Sequence, residues 1–184
     1  MGSICAKKTP APAPIEEDPT PDPFTGLTQR QRNLLKQSWQ DILRNSTSKE
    51  AGAKLLLKLF EKAPNLNTYY HEYPYNDISE LQSRASFRAQ AVSIVMRASA
   101  YIDCADDPEI LTALIGKHSF AHLNHVYSVQ DLVTFKEVFL EFVKEECGSD
   151  ATPELMEAWE KFLTFHNNCF ITKSEQPGQS SMNL

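Results

Sequence analysis

Three of the chain's five histidines fall in one short stretch, LTALIGKHSFAHLNHV, from Leu111 to Val126. Leu111, Leu114 and His118 recur at three- and four-residue steps, so on a helix they share a face and the imidazole extends an apolar wall. A neutral imidazole in that place is either a metal ligand or a core histidine satisfied by a carbonyl, and spacing alone leaves both open. His118, His122 and His125 also read as H-x-x-x-H-x-x-H. Their i, i+4 pair could share a zinc ion, but no further zinc ligands are evident.

Other chemistries fail on spacing. Cys5, Cys104, Cys147 and Cys169 include no C-x-x-C pair and read as free thiols. The six glycines are too scattered to build a phosphate-cradling loop. G-x-S-x-G is absent, and His71-Glu72 lacks the second histidine of a zinc-protease helix. A calcium loop counted from Asp103 has no glycine at its sixth place and Leu114 instead of glutamate at its twelfth. A net charge of −6, a pI near 5.4 and no basic stripe argue against nucleic acid as a partner. No stretch approaches the roughly 20 apolar residues of a membrane span, and the start lacks a secretory apolar core, so a cytoplasmic protein is expected.

The elements that must position these residues are helical, because no segment sustains strand-like alternation. Thr28 and Gln31 make a capping box for a first helix with Leu35, Ser38/Trp39 and Ile42 on its buried stripe. A second helix spans Lys49 to Ala63, with Ala53, Leu56, Leu57 and Phe60 on one face, until Pro64 ends it. Asn65 to Tyr75 reads as a short helical turn and a tyrosine-rich loop. From about Ile78 to Asp103 the spacing predicts one long helix with Phe87, Ala91, Ile94, Ala98 and Tyr101/Ile102 inward and Gln90 beside them. Asp107-Pro108 caps the helix that bears His118. Val129 to Glu146 follows, with Leu132, Phe135, Phe139 and Phe142 as its stripe and Gly148 as its stop. Thr152-Pro153-Glu154 opens a last helix with Leu155, Trp159, Phe162 and His166 on one side.

Three regions result: a proline-rich tether over residues 1–24, a single domain over 25–172 and a polar tail over 173–184. The tether begins MGSICAKK. Gly2, Cys5, Lys7 and Lys8 resemble a doubly acylated start, myristoyl on Gly2 and palmitoyl on Cys5, although Ala6 stands where Ser or Thr is usual. Two chains are what firm anchoring needs. Attachment to the inner face of the plasma membrane is the expectation that follows.

Taken together, these helices resemble the globin family over roughly residues 25–172. LTQRQRNLLKQSW is similar to the family's first helix, LLLKLFEKAP to its second running into the proline of its third, and TPELMEAWEKFL to the start of its last. FRAQ matches the F-x-x-H or F-x-x-Q signature of the distal helix, and LIGKH the proximal helix ending in the iron ligand. The resemblance implies an all-α fold of about seven to eight helices around a haem b pocket. It gives His118 the proximal role, Gln90 the distal one, Ile94 the apolar ceiling one turn on and Leu56 the second-helix position above the iron. Phe87, Leu114 and His122 complete the implied haem contacts, His122 near a propionate with help from Lys117. Tyr70 stands where the family has phenylalanine against the haem. A glutamine at position 90 makes bis-histidine coordination through that position impossible.

The function so implied is reversible binding of dioxygen or another diatomic gas, held near a membrane in a sensing or redox-signalling role, by a binding protein more than an enzyme. Gln90 can donate an N–H to dioxygen, whereas Leu56 cannot donate, so Gln90 alone would hold the gas. Two alternatives stay open: a haem enzyme acting on nitric oxide, nitrite or peroxide, and a haem-free globin-fold interaction module.

Overall fold

The computed structural model describes residues 18–64, 66, 78–121 and 128–175. Among these residues the regular structure is wholly helical: α1 (Gln29–Asn45), α2 (Ser48–Lys62), a 3-10 helix (Ile78–Ser83), α3 (Ala85–Asp103), α4 (Pro108–Ala121), α5 (Val129–Cys147), a 3-10 turn (Gly148–Asp150) and α6 (Pro153–Glu175). Tyr70, His71, His122, His125, Gly2 and Cys5 lie outside the described residues.

Local chemistry starts most of these helices. Thr28 accepts from the Gln31 N–H at 3.1 Å while the Gln31 amide oxygen accepts from the Thr28 N–H at 3.2 Å. The same reciprocal arrangement joins Thr47 with Glu50 and Ser128 with Asp131. Each pair satisfies two N–H groups that a helix start otherwise leaves unpaired. Asp107 caps α4 through the Ile110 N–H at 3.0 Å, and Pro108 follows it where no donor is needed. Gly148 closes α5 with a φ of +52°, a conformation that side-chain-bearing residues rarely adopt.

Two of the expected bounds change. The helix expected from Ile78 to Asp103 breaks at Arg84, which is extended (φ −80°, ψ 134°). Arg88 reaches back to the carbonyls of Gln82 and Ser83, so acceptors released by the break are satisfied by a side chain. The last helix runs to Glu175, into the stretch expected to be tail.

The main core is aromatic at its centre. Trp39, Phe139 and Trp159 stack and tilt against one another with ring centroids 5.4–6.0 Å apart. Both indole N–H groups are satisfied, Trp39 by the Ser99 hydroxyl at 2.8 Å and Trp159 by the Ser38 hydroxyl at 3.1 Å. On α5 the fully buried residues are Val138, Phe139, Phe142 and Val143, whereas Leu132 and Phe135 are only half-buried because they face a cleft. Lys54–Glu146, Lys58–Glu145 and Lys62–Glu141 ion pairs join α2 to α5 and show the two helices running antiparallel.

The crossing of α2 over α3 sets the position of everything on α3. A Cβ built on Gly52 would lie 1.9 Å from the carbonyl oxygen of Ala91, so only glycine permits this approach. Leu56, Phe60, Leu81, Phe87 and Ala91 fill the resulting contact as a cluster of their own.

Candidate functional site

One face of α3 carries Gln90, Ile94, Ala98 and Tyr101 at steps of four, four and three residues, which keeps them in line on a helix. That line forms one wall of a cleft. Opposite walls come from Leu132 and Phe135 on α5 and from Phe162, His166 and Phe170 on α6, while α4 contributes His118. The cleft is open on one side, and the space in it together with the solvent at its mouth amounts to about 990 Å³. Its lining is mainly apolar, with Gln90, Tyr101, His118 and His166 as polar groups and Arg97 and Asp131 added to them. Arg97 is exposed.

His118 is half-buried, and its Nδ1 lies 2.8 Å from the Tyr101 hydroxyl. Phe170 meets the imidazole edge-to-face, ring centroids 5.6 Å apart. Burial pushes the Tyr101 phenol up to about 12, with the nearby Arg97 charge pulling the other way, so the hydroxyl stays protonated at neutral pH. The same tyrosine packs against His166 at 5.5 Å.

His166 is 9% exposed, and burial holds its pKa below the usual histidine value, opposed by a hydrogen bond to Asn167. Its tautomer follows from the neighbouring amide. Asn167 donates through Nδ2 to the Leu132 carbonyl at 2.9 Å, which turns Oδ1 towards His166 Nδ1 at 3.1 Å. Nδ1 must therefore be the protonated nitrogen, and Nε2 carries the lone pair.

The site residues read from the sequence divide into three groups. Gln90, Ile94 and His118 line the one cleft. Leu56 and Phe87 are fully buried in the separate α2–α3 cluster, where the Gly52 crossing draws them together, and Leu114 packs against the main core; none of the three lines the cleft. Tyr70 and His122 fall outside the described residues, and Lys117 on α4 is exposed and not part of the lining. Tyr101, His166, Phe135 and Phe170 also line the cleft, without a site role legible in the sequence. For Tyr101 the signal was present in its spacing from Gln90 and Ile94. For His166 the signal was a titratable group on the buried face of the last helix.

Helices crossing around a cleft with two imidazoles and one amide on its walls define the architectural class. The globin family model matches residues 53–168, and the chain belongs to the globin family. It is 25% identical over 139 residues to a globin of Tritia mutabilis, covering 75% of this chain and 95% of that protein. Hemoglobin-3 of Phacoides pectinatus is 26% identical over 143 residues, covering 77% and 90%. Among solved structures, the hexacoordinated haem protein of an anhydrobiotic tardigrade superposes with a TM-score of 0.76 at 17% identity, covering 84% of this chain and 99% of that one. At that identity the superposition establishes the shared fold.

Proposed function

We propose that the chain binds haem b in the cleft, with His118 as the protein ligand to iron, and takes up dioxygen or another diatomic gas beside Gln90 and Ile94. The observation that carries the reading is the lining: a half-buried imidazole and an amide share a mainly apolar, solvent-open cleft. A flat, largely apolar macrocycle with a metal at its centre and carboxylates at its edge matches those groups in kind. Apolar side chains from α3, α5 and α6 would cover the ring and exclude water, and exposed Arg97 supplies a cation for a carboxylate at the rim. Haem supplies an iron with a coordination position open to a diatomic ligand.

Gln90 has no titratable group, so its amide N–H remains a donor across the physiological pH range. Ile94, one turn on, narrows the space beside it without adding a polar group. A single neutral hydrogen bond from Gln90 is worth roughly 1 to 1.5 kcal/mol, enough for about a tenfold difference in retention of the gas.

The location proposed for this activity is the inner face of the plasma membrane, and it rests on Gly2, Cys5, Lys7 and Lys8 alone. Among the described residues no helix is long and apolar enough to cross a membrane. Tethered gas binding suits sensing or local redox signalling, because bulk storage gains nothing from a surface. Titrating the purified chain with haem and recording ferric, ferrous and gas-bound absorption spectra tests the reading. One haem per chain with a ligand-sensitive spectrum is expected; no saturable binding would leave the haem-free interaction module.

A further inference from the structure

We propose that Tyr101 is the positioning residue of His118: its hydroxyl holds Nδ1, fixes the ring at the cleft wall, and makes a neutral phenol the group that sets the donor strength of the opposite nitrogen. The part concerning donor strength rests on the haem reading above; the part concerning ring position stands without it.

The contact joins residues 17 positions apart, one on α3 and one on α4, at 2.8 Å. With Nδ1 engaged by Tyr101, Nε2 is the only ring nitrogen that can serve a metal. A phenol donates to an imidazole lone pair more readily than it accepts from an N–H, so in the haem-free protein its proton is assigned to the contact with Nδ1. A neutral His118 then carries its ring proton on Nε2. His166 is held in the opposite state, since Asn167 fixes its proton on Nδ1. Two imidazoles of one cleft are thus set to different tautomers by different partners.

Ligation through Nε2 needs a lone pair there. The ring proton must leave Nε2 to solvent and another must be taken up at Nδ1, with no net change in charge. The hydrogen bond then reverses: Nδ1–H donates to the phenolic oxygen, and the hydroxyl turns its own proton away. The partner of a metal-bound imidazole fixes its orientation and raises its basicity. A neutral phenol accepts more weakly than a carboxylate, so it pulls less on the Nδ1 proton and leaves the imidazole a moderate donor.

Two measurements on wild type and Tyr101→Phe decide this, because phenylalanine keeps the ring packing and removes only the hydroxyl. In the haem-free protein, nitrogen-15 NMR correlations of the histidine rings should show His118 as one Nε2–H tautomer in wild type and as a mixture in the variant. His166 should be unchanged in both. Identical His118 tautomer populations would overturn the positioning role. In the ferrous haem-loaded protein, the iron–histidine stretching band in resonance Raman spectra should move to lower frequency in Tyr101→Phe at unchanged haem stoichiometry; an unmoved band would overturn the tuning role. A wild-type chain that takes up no haem would refute the haem reading, and the nitrogen spectra would still decide whether Tyr101 holds His118.

Discussion

Replacing Gly52 by alanine tests the crossing that positions the cleft wall. The new Cβ would stand 1.9 Å from the Ala91 carbonyl oxygen, where ordinary contact begins at 3.4 Å, so the helices must part locally by about 1.5 Å. The obstructing atom is backbone, and no side-chain rotation can relieve it. Overpacking of this kind costs roughly 3 kcal/mol at the upper end of its usual range. Alanine returns about 1 kcal/mol through helix propensity. The net loss of about 2 kcal/mol corresponds to a Tm lower by roughly 4–8 °C for a chain of this size. Differential scanning calorimetry of Gly52→Ala beside wild type measures it. A higher Tm would mean that the propensity gain dominates and that α2 and α3 do not meet this closely. Because Ala91 adjoins Gln90 and lies one turn from Ile94, the same variant should also alter gas release from the haem-loaded protein.

Gln90→Leu should speed dioxygen release about tenfold, the loss of one hydrogen bond of roughly 1 to 1.5 kcal/mol, as read by stopped-flow displacement; an unchanged rate would mean that the amide points elsewhere. His166 should lower stability in mild acid. Its folded pKa lies below the ordinary value of 6.5, so its contribution is complete above pH 6.5 and is lost as pH falls through the interval from there to the folded pKa, where the unfolded chain binds the proton first. His166→Gln keeps an amide donor for Asn167 and should remove a slope of up to about 1.4 kcal/mol per pH unit there. Equal urea midpoints for the two proteins relative to each other at pH 5 and pH 7.5 would contradict this. Gly2→Ala should move the full-length chain from the membrane to the soluble fraction of expressing cells, and Cys5→Ser should leave it weakly bound; equal fractions for Gly2→Ala and wild type would remove the anchor.

What was legible in the sequence was mostly local. Thr28 with Gln31, Asp107 before Pro108, and Thr152 before Pro153 marked helix starts correctly, because a cap is made within four residues of itself. The α3 face was legible for the same reason: Phe87, Ala91 and Ile102 are buried at helical spacing. The break at Arg84 was not, since apolar spacing continues across it and the compensation comes from Arg88 one turn later. Nor could the sequence separate Leu56 and Phe87 from the cleft, because their placement depends on a long-range approach of Gly52 to Ala91. Leu132 and Phe135 read like core for the same apolar reason that suits them to a cofactor wall. The Tyr101–His118 contact required knowing how the end of α3 faces α4, which no periodicity encodes.

On the reading proposed above, His118 is the residue through which this globin holds haem iron. The decisive comparison is between absorption spectra of haem-titrated His118→Ala, with and without added imidazole, and those of His166→Ala, the other imidazole of the cleft. His118→Ala should lose tight haem binding or the wild-type ferrous spectrum and regain it with imidazole, while His166→Ala retains both. A wild-type spectrum in His118→Ala, with loss in His166→Ala instead, would contradict that reading.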